Sequence, residues 1–235
     1  MIPIFVFTSD KYLPALRPFS FLFNRYWSAA QEVTVVGFAK PAFELPDNFK
    51  FHSLGDIGNY PIGKWSNALI NYLEVRGDIS HFALLLDDYW PTRPVNLSAV
   101  RMLYDYALQF RNVLKIDLCG DRLYAAGMKD YGHCGYLDLV KSDYNSPYHM
   151  SLMAGIWSRE LMLRFLIHNE SPWDVEIAGT HRVAAARDEV LVLGTRQWPL
   201  RHALAHRGGD IGQTNLHELS NVDIHALTDL GFIPY

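Results

Sequence analysis

The sequence predicts an α/β fold built on a mostly parallel sheet. Three features carry that expectation. Short apolar runs alternate with segments of helical periodicity through the first half of the chain. Each run is short enough for a strand and apolar enough to be covered on both faces. The most apolar run, 81–86 (HFALLL), stops abruptly at Asp87-Asp88, and in parallel sheets ligands gather at carboxyl ends of strands.

Residues 2–7 (IPIFVF) open the chain as a strand that runs into the polar loop Thr8-Ser9-Asp10. Across 12–27 aromatics and leucines recur at loosely helical spacing, and Pro14 and Pro18 limit a regular helix to the later part. Strands are expected at 33–38 and near 49–54. Residues 64–76 repeat apolar positions at helical spacing and meet Gly77, a glycine stop. After the 81–86 strand, Asn96 caps a helix over 97–110, and 113–118 (VLKIDL) is the next strand.

The second half is less regular. Strands are expected at 134–141, 150–157 and 189–193. Helices are expected at 158–168, capped by Ser158, and at 171–179, with Ser171 at the cap and Pro172 in the first position. No internal repeat or low-complexity linker divides the chain. The whole of 1–235 is read as one domain, with a nucleotide-binding half over 1–118 and an acceptor-side half with its tail over 119–235.

Composition narrows the function classes. Hydrophobic residues make up 49% of the 235 positions and charged residues 20%, so a sizeable core is available and disorder is not expected to dominate. A net charge of −4 argues against stable binding to nucleic acid. Cys119 and Cys134 are not spaced as a CxxC pair and read as free thiols. The first residues lack a basic region and a cleavage site, and no apolar stretch is long enough to span a bilayer. A cytoplasmic location is expected, with peripheral contact at the inner membrane face left open by the 14% aromatic content.

Four constellations could carry chemistry. Asp87 and Asp88 follow a buried strand, where adjacent carboxylates are costly unless neutralised. Mg²⁺ or Mn²⁺ is the natural partner, and the simpler alternative has one acid capping a turn while the other pairs with Arg93. In Ser171-Pro172-Trp173-Asp174-Val175-Glu176, residues two apart diverge on a helix, so one of Asp174 and Glu176 could enter a cleft as general base. Spacing alone favours the plainer role of complementing the helix dipole. Trp173 could support a sugar ring, and Trp90 is a second aromatic candidate for the acceptor. Thr8, Ser9 and Asp10 suit a ribose or base, Lys64 beside Trp65 could reach a phosphate, and a solvated surface lysine is the plainer reading of Lys64. In the tail, Arg207 suits a diphosphate and His206 could complete a metal shell. No HExxH, P-loop, GxSxG or CxxC motif is present.

The stretches Leu84-Leu85-Leu86-Asp87-Asp88-Tyr89-Trp90 and Glu170-Ser171-Pro172-Trp173-Asp174-Val175-Glu176 resemble those of GT-A glycosyltransferases, in particular small bacterial and phage enzymes. The resemblance implies a GT-A-like (Rossmann-like) domain and a nucleotide-sugar donor, UDP- or GDP-linked. It also implies a glycan, lipid-linked or other hydroxyl acceptor, and Mn²⁺ or Mg²⁺ against the donor diphosphate. That family's Asp-x-Asp motif is replaced here by Leu86-Asp87-Asp88-Tyr89. On this pattern Asp88 is the metal contact ahead of Asp87, and Asp174 is the base ahead of Glu176 in an inverting reaction. The rivals are a nucleotidyltransferase, which normally carries a glycine-rich basic loop where Thr8-Ser9-Asp10-Lys11 stands, and a non-catalytic sugar- or nucleotide-binding protein.

Overall fold

The computed structural model describes residues 2–205 and 215–233. One mixed sheet of nine strands forms its centre. In chain order the strands and helices are β1 (Ile4–Phe7), α1 (Leu16–Phe23), β2 (Val33–Gly37), β3 (Phe49–Ser53), α2 (Trp65–Val75), β4 (His81–Leu86), β5 (Tyr89–Pro91), α3 (Leu97–Gln109) and β6 (Val113–Asp117). Then follow β7 (Lys129–Cys134), β8 (Leu137–Lys141), β9 (Gly155–Ser158), α4 (Arg159–Phe165), α5 (Pro172–Ala185), β10 (Leu191–Thr195), β11 (His202–Leu204) and α6 (Asn221–Asp229).

The sheet order is β3-β2-β1-β4-β9-β6-β10-β8-β7. The four strands β3, β2, β1 and β4 are parallel, as are β6 and β10, while β9 runs antiparallel between β4 and β6. A strand from late in the chain is thus inserted between two from the first half. β5 and β11 form a separate two-stranded ribbon.

The sheet separates two cores. Ile4, Val6, Ala83 and Leu85 pack on one face with α1 and α3, and Phe5, Phe7, Phe82 and Leu84 pack on the other with α2, α4 and α5. Strands covered on both sides need apolar residues at successive positions, which is why β1 and β4 read as unbroken runs. Helix stripes match: Leu69, Leu73 on α2 and Leu103, Ala107 on α3 are buried at helical spacing.

Several expectations need correction. α1 begins at Leu16 and contains Pro18, because a proline in the first turn lacks only an N–H that has no partner within the helix. The 134–141 segment is part of a hairpin: β7 and β8 pair antiparallel and turn at Gly135-Tyr136, where Gly135 has φ +59. Strand β9 is confined to the end of the 150–157 run, and α4 stops at Phe165. α5 continues six residues past the expected end at 179, to Ala185. Gly179 is a point of close approach rather than a stop: a Cβ there would lie 3.0 Å from Met150 Cγ. Both cysteines are free, Cys119 buried and Cys134 partly so. Among the described residues no helix is long and apolar enough to cross a membrane.

Candidate functional site

Two chambers meet at the carboxyl ends of β1, β4 and β6. The smaller, about 320 Å³, lies over Thr8, Trp65, Asp87, Asp88, Trp173 and Glu176. The larger, about 1010 Å³, is bounded by Arg93, Asp121, Arg122, Trp198 and Arg201, among others. Tyr89, Met153 and Glu176 line both, so they form the shared wall.

The register of β1 against β4 builds the smaller chamber. Phe7 lies opposite Leu86, which sets Thr8 and Asp87 side by side one residue on. Ser9 joins the lining. Asp10 does not: its Oδ1 accepts the Ala39 N–H at 2.9 Å and ties this loop to the one after β2. Lys64 is exposed before α2 and lies outside the lining, while its neighbour Trp65 faces in.

Asp87 is 5% exposed. Its carboxyl is pushed well above the usual range by burial first and by the Asp88 charge second. Asp88 is pushed up to about 6 by burial, with a contribution from Glu176. Oδ2 of Asp87 and Oδ1 of Asp88 are buried with no hydrogen-bond partner among the described residues. The alternative pairing with Arg93 is not formed. Buried carboxylate oxygens without donors are expensive, and a hard divalent cation satisfies them directly. Among the described residues no cluster of three His, Cys, Asp or Glu comes together. Among the described residues Asp87 and Asp88 could thus supply only part of a metal shell, an arrangement that Mg²⁺ or Mn²⁺ would complete with phosphate and water.

Trp90 occupies a different place from the one expected. It is fully buried, and its Nε1 donates to the Asp87 carbonyl at 3.1 Å. The indole supports the backbone under the acids and offers no face to a ligand. Trp173, 62% exposed, stands on the rim of the smaller chamber.

α5 sorts Asp174 from Glu176. Ser171 and Asp174 form a capping box: Asp174 Oδ2 accepts the Ser171 N–H at 3.0 Å and its hydroxyl at 2.6 Å. These bonds hold the exposed Asp174 carboxyl below its ordinary value, the wrong direction for a general base. Val175, Gly179 and Val183 bury the inner stripe of the helix, and Glu176, beside Val175, turns with it to the shared wall. Its Oε1 accepts the Leu152 N–H at 2.7 Å, and burial raises its pKa.

The larger chamber contains residues that sequence reasoning passed over. Asp121 lies in the loop after β6, four residues past the strand end at Asp117, and the Ser151 hydroxyl donates to its Oδ2 at 2.6 Å. Trp198 lies against Gly120, where a Cβ would sit 2.5 Å from the indole. The Arg201 guanidinium lies 4.1 Å from the centroid of that ring. A strand end followed by Gly120-Asp121 was the available signal for Asp121, whereas nothing in spacing links it to Trp198. His202 is half-buried, and desolvation lowers its pKa to about 4. His206 and Arg207 lie outside the described residues.

No family model matches the sequence, and no curated protein matches it. Among solved structures, a UDP-glucose pyrophosphorylase crystallised without ligand is similar, with a TM-score of 0.51 and 10% sequence identity, over 98% of this chain and 100% of that one. At that identity the likeness is one of fold: a mixed α/β, Rossmann-like architecture with a large, mostly parallel sheet flanked by helices.

Proposed function

We propose that this chain is a glycosyltransferase moving a sugar from a nucleoside diphosphate sugar to an acceptor hydroxyl, with inversion. One observation carries the reading: buried Asp87 and half-buried Asp88 each leave a carboxylate oxygen without a hydrogen-bond partner among the described residues in one chamber, and a third acid, half-buried Glu176, stands between it and a second chamber.

In this reading Thr8, Ser9 and Trp65 receive the nucleoside, and Asp88, with Asp87, holds Mn²⁺ or Mg²⁺. The cation neutralises charge that develops on the departing diphosphate. Glu176 takes the proton of the acceptor hydroxyl as that oxygen bonds to the anomeric carbon. The bond from this carbon to the diphosphate breaks, and its electron pair leaves with the nucleoside diphosphate. A carboxyl raised by burial is suited to accepting that proton. Glu176 replaces Asp174 in the role of base because Asp174 is committed to its cap. Trp173 at the rim supports the donor sugar.

A second reading is favoured by the likeness to the pyrophosphorylase: a nucleotidyltransferase joining a nucleotide to a sugar phosphate. The loop Thr8-Ser9-Asp10-Lys11 lacks the glycine such enzymes place there. One assay separates the two. UDP-, GDP-, CMP- and TDP-linked sugars are screened by thermal shift with and without Mn²⁺. Any donor that binds is then incubated with pyrophosphate. Release of nucleoside diphosphate without nucleoside triphosphate supports transfer of the sugar. Formation of nucleoside triphosphate and sugar phosphate supports the second reading, and the absence of any donor shift sinks both.

A further inference from the structure

The larger chamber has no assigned occupant in the reading above beyond an acceptor of unstated chemistry. We infer that it binds a saccharide carrying a phosphate or carboxylate, with the aromatic wall of Tyr124, Tyr148 and Trp198 against the sugar ring and Arg93 and Arg201 on the anionic group. Its role as acceptor site rests on the transferase reading, while the binding chemistry stands on the chamber itself.

The indole is held as a prepared surface. Trp198 adopts φ +46, a left-handed conformation that costs energy for a residue with a Cβ. Gly120 clears the space on one side of the ring, and Tyr124 meets it edge-on at 5.3 Å. Trp198 Nε1 is buried without a hydrogen-bond partner among the described residues. Tyr148, on the same chamber, is also left-handed at φ +61, and its carbonyl accepts from buried Arg122 at 2.9 Å. Two of the three positive-φ residues other than glycine thus line this one chamber. Strain of this kind persists where surrounding structure imposes it, and it collects at ligand sites.

The charges point to an anion. Arg122 is spent inside the fold on Asp117, Ser142 and Tyr148. Arg93 and Arg201 are exposed and make no ion pair among the described residues. The Arg201 guanidinium lies over the Trp198 ring, 4.1 Å from its centroid, a contact that uses none of its five N–H donors and leaves them available to an oxyanion. Of the acids on the lining, Asp121 is engaged by Ser151, Glu176 sits on the far wall shared with the smaller chamber, and exposed Glu218 pairs with neither arginine. An aromatic wall with two arginines in the same chamber suits a sugar ring whose substituent is charged.

The test measures binding of methyl β-glucoside, glucose 6-phosphate, glucuronate and inorganic phosphate to the full chain by calorimetry. Glucose 6-phosphate or glucuronate should bind at least about tenfold tighter than methyl β-glucoside, and tighter than inorganic phosphate. The double variant R93A/R201A should erase the preference, and Y124A should weaken every sugar while leaving inorganic phosphate unchanged. Equal affinity for charged and neutral sugars overturns the inference, as does a preference untouched in R93A/R201A. Phosphate binding as tightly as glucose 6-phosphate also overturns it. Thermal shift with UDP-glucose and Mn²⁺ on the same samples isolates the two claims: a lost donor shift with the sugar preference intact rejects the transferase reading and not this site. A donor shift without the preference rejects this site alone.

Discussion

Buried carboxylates are treated in two opposite ways in this molecule. Asp117, at the end of β6, is fully buried between Lys115 Nζ at 2.5 Å and Arg122 Nε at 3.2 Å. Its neighbours are themselves tied down, since Lys115 donates to the Ser151 carbonyl and Arg122 to Ser142. Asp87, buried, and Asp88, half-buried, stand at the end of β4 with no cation paired to them among the described residues. Both sites lie at carboxyl ends of strands in one sheet. The chain can therefore supply counter-ions to a buried acid, and it does not do so at β4. The difference marks Asp117 as a structural acid, and under the function proposed above it makes Asp87-Asp88 an acid pair whose partner comes from solution.

The largest expected effect breaks this contrast directly. Asp117→Ala strands two buried cations and should cost about 3–5 kcal/mol of stability. Asp88→Asn removes a charge that has no partner and should leave metal-free stability unchanged or raise it. Urea unfolding of both variants in EDTA checks the pair, and equal losses would dissolve the distinction.

Glu176→Gln sharpens the contrast on the functional side. A missing general base lowers turnover about 10²–10⁴-fold, and the fold should tolerate an amide of the same shape. The variant should also lower the Asp88 pKa, since the Glu176 charge contributes to raising it. Carbon-detected NMR titration of the Asp88 carboxyl reads that shift.

The pH dependence carries a sign. Asp87 and Asp88 are both raised in the folded state, Asp88 to about 6. A raised carboxyl binds its proton more tightly when folded, so its contribution is complete below the ordinary carboxylate range of about 4 and is lost as pH rises through about 6. In EDTA the melting temperature should fall over that interval through this pair. With Mn²⁺ and a nucleoside diphosphate the trend should reverse, because protons compete with the metal. Asp88→Asn should flatten both curves.

The smallest effect belongs to Asp174. Asp174→Ala opens the capping box and should cost about 1 kcal/mol, with turnover unchanged. Chemical denaturation beside a rate measurement tests it, and a large loss of rate would restore Asp174 as the base.

Much of the sheet was legible because strands covered on both faces are largely apolar: β1 is apolar throughout, β4 from Phe82 onward, and β6 outside its Lys115–Asp117 pair. The acid pair was legible for the same reason, since polarity at the end of such a run stands out. Gly135 concealed a hairpin inside what reads as one strand, and Gly179 imitated a helix stop. The choice between Asp174 and Glu176 was not readable from spacing. It depends on which helix face meets Met150 and Leu152, a contact made across the fold. Trp90 shows the converse: an aromatic beside the acids reads as a ligand platform, and packing makes it a prop. The larger chamber was hidden because Gly120, Tyr148 and Trp198 are distant in sequence and only the loops after β6, β8 and β10 bring them together.

The most direct test is Mn²⁺ binding followed by electron paramagnetic resonance, with UDP present, in the wild-type chain and in Asp88→Asn. The account predicts saturable binding in the wild type that UDP strengthens, and at least a tenfold weaker site in the variant. Equal Mn²⁺ binding by the two proteins, or none by the wild type with UDP or GDP present, would contradict it.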